Sequence, residues 1–332
     1  MKVVHVNTSD TQGGAARAAY RLHQALLDVN IDSIMLVQSK SRDDFTIQGP
    51  QTNIQKAAAV LRPFIDKLPT KKYRAPASLP FSPSWVPFSG IPQKINALQP
   101  DIVHLHWIAN GMMSIEEIAQ IKAPIVWTLH DSWPFTGGCH VRFECEKYKK
   151  GCGACPVLGS HEQNDISKAI FERKSRTYSK INKLTITGPS RWLSNCASES
   201  FLFNKRKIVT LPIPLDTEIF SPIDKEVARK ILNLPNGRKL VLFGAKNGME
   251  DFNKGFKQLV EALGKIQSLN VELLVFGSSK PKETVDFKFK TNYLGSLHDN
   301  ASLKLLYSAA DVMVVPSIQE AFGQTASESL SC

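Results

Sequence analysis

The chain has 332 residues, of which 42% are hydrophobic and 21% are charged, and these values exclude a disordered or fibrous protein. Its length allows two domains of ordinary size, each with its own core. The formal net charge of +11 favours anionic partners, such as a nucleotide diphosphate, an acidic membrane surface or nucleic acid, but does not choose among them.

The amino-terminal region predicts a strand over residues 2–7, a polar loop over 8–14, a helix over 15–27 and a strand over 31–38. This order is typical of the first unit of a nucleotide-binding α/β domain. The loop reads T-S-D-T-Q-G-G-A-A-R and contains neither a dinucleotide fingerprint nor a P-loop. Its glycines, Gly13 and Gly14, either let a ligand approach the backbone or serve a tight turn.

The start of the chain turns polar too early for a signal peptide, and no later stretch reaches membrane-spanning length, so we expect a cytoplasmic protein. Residues 54–91 then interrupt the α/β pattern. This basic and aromatic excursion either approaches an acidic membrane surface, a lipid-linked acceptor or nucleic acid, or covers a sheet edge. Its basic and aromatic residues are Arg62, Lys67, Lys71, Lys72, Arg74, Phe64, Tyr73, Phe81, Trp85 and Phe88.

Two further predicted strands, over residues 101–107 and 125–131, end in histidine-containing sequences, D-I-V-H-L-H-W and I-V-W-T-L-H-D. Ligands of open parallel sheets bind at the carboxyl ends of strands. We therefore predict a site residue in His130 and a weaker acceptor-site candidate in His106. The alternative for each is a hydrogen-bonded structural histidine.

Residues 139–155 form a loop with four of the six cysteines, in the sequence C-H-V-R-F-E-C-E-K-Y-K-K-G-C-G-A-C. The pair Cys152 and Cys155 has the C-x-x-C spacing of a zinc knuckle, and Cys139 and Cys145 complete a tetrahedral set. A disulfide or redox pair and unligated thiols remain alternatives. Because four thiolates fill the coordination sphere of zinc, the predicted ion is structural.

A helix over 165–180, a strand over 184–188 and a capped helix from residue 190 complete the first predicted domain, residues 1–215. The second, residues 216–332, alternates again, with strands at 240–245, 271–276 and 312–315 and helices from residue 254 and over 301–309. Lys254 precedes a glycine where a helix begins and can reach a diphosphate, or is a solvated lysine. Lys246, which follows Gly244 and Ala245, is a candidate for a second cation that contacts the diphosphate.

The last strand leads into P-S-I-Q-E-A-F-G-Q-T-A-S-E, in which a loop turns into a helix. The amides of Phe322, Gly323, Gln324 and Thr325 are expected to face an anion at the helix start. Glu320 and Glu328 bracket this turn and can accept hydrogen bonds from the two ends of an elongated polar ligand. A sugar joined to a nucleoside through a diphosphate fits this arrangement.

The pattern from Glu320 to Glu328 resembles the E-x7-E signature of glycosyltransferase family 4, retaining enzymes of the GT-B fold. The match extends to the early G-G loop, the sequence T-L-H-D-S-W-P-F-T-G-G-C, the I-P-L-D hinge, K-G-F and Y-L-G. The hinge departs from the family pattern at Pro214-Leu215, and the family's glycine–arginine pair is absent. The resemblance implies that Glu320 contacts the donor sugar, Glu328 the nucleotide ribose, and His130 the reaction centre.

What the resemblance implies is a GT-B protein: two Rossmann-like, doubly wound domains facing across a cleft, the second incomplete because the chain stops at Cys332. It would move a sugar from a nucleotide-diphosphate sugar to a hydroxyl of a glycan or lipid-linked acceptor. The product would be cell-surface polysaccharide, made at the inner face of a membrane, and neither a catalytic metal nor nucleic acid would take part. Alternatives are a GT-B epimerase or phosphorylase, or a basic, zinc-containing nucleic-acid-binding protein.

Overall fold

The computed structural model describes residues 1–73, 79–244, 251–266, 270–277, 289–297 and 299–332. The chain divides into two compact units, Met1–Pro214 and Leu215–Cys332. The division falls one residue from the predicted domain boundary. Among the described residues, no helix combines the length and apolar character needed to cross a membrane.

Unit 1 is built on a parallel sheet of seven strands in the order β3-β2-β1-β4-β5-β6-β7. Residues 3–6 of the first strand are all buried, so this strand is covered on both faces, as is typical of parallel sheets. The strands are β1 Lys2–Ser9, β2 Asp32–Ser39, β3 Ile47–Gln48, β4 Ile102–Leu105, β5 Ile125–Thr128, β6 Leu184–Gly188 and β7 Lys207–Thr210.

The helices of unit 1 connect these parallel strands. Side-chain caps start several of them, such as Asp165 at the helix from Ile166 and Ser190 at the helix from Arg191. The helices are α1 Gly13–Asp28, α2 Asn53–Asp66, α3 Ile91–Ala97, α4 Ile166–Tyr178 and α5 Arg191–Glu199.

Part of the expected excursion is a regular helix. Residues 53–66 form α2, which begins with a capping box: the Thr52 hydroxyl accepts a hydrogen bond from the Gln55 backbone amide, and the Gln55 side-chain oxygen accepts one from the Thr52 backbone amide. The later part does not stand apart from the domain, because Phe81 is buried and pairs with Cys139 in an antiparallel bridge. Arg74 lies outside the described residues.

Unit 2 has a parallel four-stranded sheet in the order β10-β9-β8-β11. Leu240 and Leu242 pack on one face of β8 with Leu306, whereas Val241 and Phe243 pack on the other, so alternate residues supply two cores. The elements are α6 Lys225–Ile231, β8 Lys239–Gly244, α7 Phe256–Leu263, β9 Val271–Phe276, β10 Thr291–Tyr293, α8 Asn300–Ala309, β11 Val312–Val314 and α9 Gln324–Ser331.

Candidate functional site

The K-G pair of unit 2 lies directly against the loop that follows β11. Gly255 has a φ of 68°, and a Cβ at this position would stand 2.0 Å from the Pro316 carbonyl oxygen, so only glycine fits. The Asn253 side chain holds the same loop by donating to the Gln319 carbonyl (2.9 Å) and accepting from its amide (3.1 Å). This contact fixes the start of α7 beside the E-x7-E segment.

Within this contact Lys254 and Glu320 form an ion pair. The Lys254 Nζ donates to Glu320 Oε1 over 2.6 Å. Both side chains are about one-third exposed, at 29% and 33%, so they remain accessible to a ligand. The structure therefore brings together two predicted site residues that are 66 positions apart in the sequence.

The other predicted donor residues surround the start of α9. Gly323 adopts a left-handed conformation as the N-cap of this helix, with no side-chain cap, and Gln324 and Thr325 occupy its first turn after Phe322. The first amides of a helix lack intrahelical acceptors and carry the positive end of its dipole. This segment therefore has the backbone arrangement expected for anion binding, while Lys246 lies outside the described residues.

Glu328 does not lie open to solvent. Its side chain is buried on α9, and the Tyr307 hydroxyl of α8 donates to its Oε2 over 2.8 Å. The hydrogen bond compensates for removal of the carboxylate from water. Contact with a ribose would therefore require Glu328 to become more exposed when a nucleotide binds.

In unit 1, the loop after β1 leads into α1 through Gly13. This residue has a φ of 87°, and a Cβ built on it would meet nothing within 4 Å, so there is open space beside the backbone. Gly14 follows in the first turn of α1. Buried Asp10 fixes the loop by accepting from the amides of Ser41 and Arg42.

His130 follows β5 and is the outer member of a row of three hydrogen-bonded histidines. Its Nε2 lies 3.0 Å from His106 Nδ1, and His106 Nε2 lies 3.1 Å from His5 Nδ1. His5 is on β1 and His106 follows β4, so the row crosses neighbouring strands. His106 is 4% exposed, and its two ring nitrogens are both engaged within the protein, so the structure does not place it as an acceptor-site residue.

Four histidines of this region have a lowered pKa and are neutral at pH 7. Burial lowers the pKa of His130 to about 4, although Asp131 partly opposes the shift, and burial together with His130 lowers the pKa of His104 to about 3. Burial and the nearby His104 also hold the pKa of His5 and His106 well below the usual value.

One set of potential metal ligands includes two histidines of this row together with His104. Among the described residues, the ligand atoms of His5, His104 and His106 all lie within 4.8 Å of one another. However, the rings of His104 and His106 are stacked, with centroids 4.3 Å apart and planes 24° apart. Their in-plane lone pairs therefore run side by side, and His104 already bonds Thr128, so the set is poorly arranged for an ion.

A second network joins the end of β5 to the cysteine loop. Asp131 Oδ2 accepts from the Trp107 indole (2.7 Å) and bonds His140 Nδ1 (2.7 Å), while His140 Nε2 lies 2.8 Å from Ser82 Oγ. Although burial raises the pKa of Asp131, His140 and the other donors hold it below its usual value. Because Ser82 and His140 are buried, this second network holds the cysteine loop against the end of β5.

The four clustered cysteines line one small cavity of about 20 Å³. All are free thiols, and the Gly137 amide donates to Cys152 Sγ over 3.1 Å. Burial and the neighbouring thiols raise the pKa of Cys139, and burial raises that of Cys152 to about 12. Among the described residues, no three of these sulfurs lie within 4.8 Å of one another, the spacing that the histidine set meets.

A buried lysine lies beside these thiols. Lys174 of α4 is fully buried and donates to the carbonyls of Trp133 and Thr136, the latter over 3.0 Å. Burial lowers the pKa of Lys174 to about 7, while Cys139, Cys152 and Asp131 raise it. A positive charge at this position would favour thiolates in the cavity.

Sequence reasoning missed His5 and Asn253. A histidine inside the otherwise apolar strand K-V-V-H-V-N was a detectable signal, because polar residues at core positions need partners. Asn253 left no such signal, because it acts by bonding a loop 66 residues away.

Comparisons with known proteins identify the family of the chain. The family model described as Glycosyltransferase Family 4 matches residues 12–219, and that described as Glycosyl transferases group 1 matches residues 224–332. An uncharacterised glycosyltransferase of Methanocaldococcus jannaschii is 30% identical over 253 residues, covering 69% of this chain and 63% of the relative. A putative colanic acid biosynthesis glycosyl transferase of Escherichia coli is 29% identical over 79 residues, which cover 21% of this chain and 20% of that relative.

The chain thus spans less than two thirds of the length of these curated relatives. Among solved structures, WaaG, a glycosyltransferase involved in lipopolysaccharide biosynthesis, matches with a TM-score of 0.59 at 14% identity, over 99% of this chain and 78% of WaaG. Anabaena HepE in complex with UDP-glucose matches with a TM-score of 0.59 at 14% identity, over 100% and 78%. These likenesses identify the GT-B fold, and with the family models they lead to one assignment: the chain belongs to glycosyltransferase family 4.

Proposed function

We propose that this protein transfers a sugar, with retention at the anomeric carbon, from a nucleotide-diphosphate sugar to a hydroxyl of a glycan or lipid-linked acceptor. The observation that carries the proposal is the accessible ion pair of Lys254 and Glu320 beside the start of α9. The UDP-glucose complex of HepE supports the donor class, and the relatives named for colanic acid and lipopolysaccharide synthesis support a role in cell-surface polysaccharide.

The ion pair suits a donor that carries both negative charge and hydroxyl groups. A diphosphate would attract Lys254 more strongly than a single carboxylate does, since it brings more charge to the same ammonium group. Glu320, released from Lys254, would then accept hydrogen bonds from the donor sugar. The same binding event would thus place the diphosphate and the sugar.

The leaving diphosphate would be stabilised by fixed positive charge. Lys254 and the amides of Phe322, Gly323, Gln324 and Thr325 would supply it, a form of electrostatic catalysis that places no requirement on a catalytic metal. Lys246 would add a second cation, and Glu328 would accept from the ribose. In unit 1, His130 would serve the reaction centre and the loop at Gly13 and Gly14 would face the donor diphosphate and acceptor.

We also propose that α2 holds the protein at an acidic membrane surface, the inner face in a cell. Its inner side is anchored, because Arg62 donates to three backbone carbonyls, those of Val86, Pro87 and Gly111. Its outer side exposes large apolar residues at helical spacing, with lysines nearby. The apolar residues are Ile54, Leu61 and Phe64 on α2 and Leu68 just after it, and the lysines are Lys56, Lys67, Lys71 and Lys72.

A structural zinc ion in the cysteine loop is a further part of the proposal. Three observations support it: four thiols line one cavity, the Gly137 amide donates a hydrogen bond to Cys152, and the buried amino group of Lys174 lies nearby. Because zinc–sulfur bonds are about 2.3 Å long, the side chains would have to turn inward to bind it. The ion would order the loop and not meet substrate.

The donor proposal is tested by thermal shift of the protein with UDP, GDP, ADP and their sugars. We expect one nucleotide series to stabilise the protein, and Lys254→Ala to weaken its binding roughly 10- to 100-fold, as expected for loss of a charged hydrogen bond. Exposed Lys257, three residues further on in the first turn of α7, is the matched control, and Lys257→Ala should bind like wild type.

Two outcomes would contradict the proposal. One is the absence of stabilisation by every nucleotide, and the other is an equal loss in the Lys254 and Lys257 variants, which would indicate only general charge attraction. Hydrolysis of the donor without a transfer product, across a panel of acceptors, would favour a relative with other chemistry.

A further inference from the structure

The row of His5, His106 and His130 runs from the core of unit 1 to the end of β5. Consecutive ring nitrogens are 3.1 and 3.0 Å apart, so each contact is a hydrogen bond. His5 is completely buried and His130 is half-buried, so the row connects the interior with the predicted site.

The direction of this row is constrained by elementary chemistry. A neutral imidazole has one N–H donor and one acceptor nitrogen, so His106 must donate to one neighbour and accept from the other. The low pKa of His106 keeps it neutral, which excludes donation in both directions. The positions of the three protons therefore depend on one another, and only two arrangements exist. In outward donation each ring donates toward His130 and carries its proton on Nδ1. In inward donation each ring donates toward His5 and carries its proton on Nε2.

The inner end of the row distinguishes these arrangements. Within the described chain, His5 Nε2 is buried and has no hydrogen-bond partner. Inward donation would leave an N–H group there, whereas outward donation leaves a lone pair. Buried donors without an acceptor are rarer in proteins than under-used acceptors, so outward donation is favoured.

We propose that His5 and His106 are positioning residues that hold the proton of His130 on Nδ1, so that His130 presents an N–H donor at the end of β5. Its Nε2 accepts from His106, and the described residues offer no partner to its Nδ1. His130 then cannot remove a proton with either nitrogen. It can donate a hydrogen bond to an oxygen atom, such as a sugar hydroxyl or the oxygen of a departing group.

The functional consequence depends on the proposed transferase activity, but the proton positions do not. They can be read by two-bond proton–nitrogen NMR of protein labelled with ¹⁵N-histidine, which distinguishes Nδ1–H from Nε2–H rings. We expect His5, His106 and His130 all to be Nδ1–H near pH 7. An Nε2–H ring at His130 would overturn the proposal, whatever the enzyme does.

Substitutions at His106 separate positioning from simple packing. The amide of Gln can accept from His5 and donate to His130, so His106→Gln should keep His130 in the Nδ1–H form. His106→Leu cannot donate, and we expect it to leave a mixture of His130 tautomers and to lower the transfer rate at least about 10-fold, with nucleotide binding unchanged.

His5→Leu supplies a stricter test. The inner end of the row then becomes His106 Nε2, which is again buried and unpartnered, so outward donation and the His130 tautomer should persist. If His106→Leu leaves the His130 tautomer unchanged, or if His5→Leu reverses it, the proposal is wrong. If the tautomers follow expectation but the protein transfers no sugar, the proposed function fails and the proton arrangement stands.

Discussion

In unit 2, the close packing of Gly255 fixes the position of Lys254 in the candidate site. Lys254 lies one residue before Gly255, which no other residue can replace because the Pro316 carbonyl lies against it. The lysine is therefore carried to Glu320 by backbone packing and not by charge attraction alone. An accessible ion pair contributes little to stability, so a ligand can separate the two side chains at small cost.

At the same scale, the four thiols of residues 139–155 give the first prediction. A site with four cysteine ligands should hold about one equivalent of zinc in protein purified without added metal. Cys152→Ser removes the sulfur that accepts from the Gly137 amide and should lower the zinc content and the thermal midpoint together, because metal binding contributes to folding.

Cys332→Ser is the control, since Cys332 belongs to unit 2 and is not one of the residues that line the cavity. It should leave the metal content at the wild-type value. Metal analysis with thiol titration decides the question. Less than about 0.2 equivalents of zinc with freely titratable cysteines would contradict a site that binds metal on folding, and cysteines paired as disulfides would contradict it equally.

At the scale of elements, the strands were the most predictable part. The predicted bounds of β6 and β9 agree with those in the structure, because dense β-branched and leucine runs end there at turn residues. The helix α2 was missed because its large apolar residues face outward, so they give no core-facing pattern, although the sequence T-N-I-Q carries its capping box.

Contacts between distant positions were the least predictable part of the candidate site. The pair of Lys254 and Glu320 was foreseen only through the family motif, since nothing local relates positions 66 residues apart. The histidine row was not foreseen, because His5 and His106 meet only through the pairing of β1 with β4, and that pairing is a property of the sheet.

The outward face of α2 gives a prediction for an element. Full-length protein should co-sediment with vesicles rich in anionic lipid and bind neutral vesicles weakly, because lysines flank the apolar face. Replacing both Leu61 and Phe64 by Glu should reduce binding at least about 10-fold, since burial of one such side chain contributes about 1.5–3 kcal/mol.

Phe45→Glu is the matched control for charge and apolar loss, because Phe45 is an exposed residue of the same unit outside α2. It should bind vesicles like wild type. Equal binding of the double variant and wild type would show that α2 does not form the membrane-binding face.

For the whole molecule, the distribution of residue types between the two units allows unit 1 to be followed alone. All five tryptophans belong to unit 1, so tryptophan fluorescence reports its unfolding. The five histidines with a lowered pKa also belong to unit 1: His5, His23, His104 and His106, which are buried, and His130, which is half-buried.

These histidines predict that unit 1 loses stability in mild acid. In the unfolded chain they bind protons near pH 6.5, whereas in the folded protein His104 and His130 do so only near pH 3 and 4. The unfolded state therefore binds more protons as the pH falls below 6.5, so the stability present above that pH is lost. His104 and His130 together should remove about 3 kcal/mol per pH unit.

The urea midpoint of the fluorescence transition should fall steeply between about pH 7 and pH 5, a window above the titration of most carboxyl groups. His161 is exposed, so His161→Gln should show the wild-type slope and serves as the control. A midpoint that stays constant over this window would mean that the buried histidines are protonated as easily in the folded protein as in the unfolded chain. That result would remove the neutral state on which the direction of the histidine row depends.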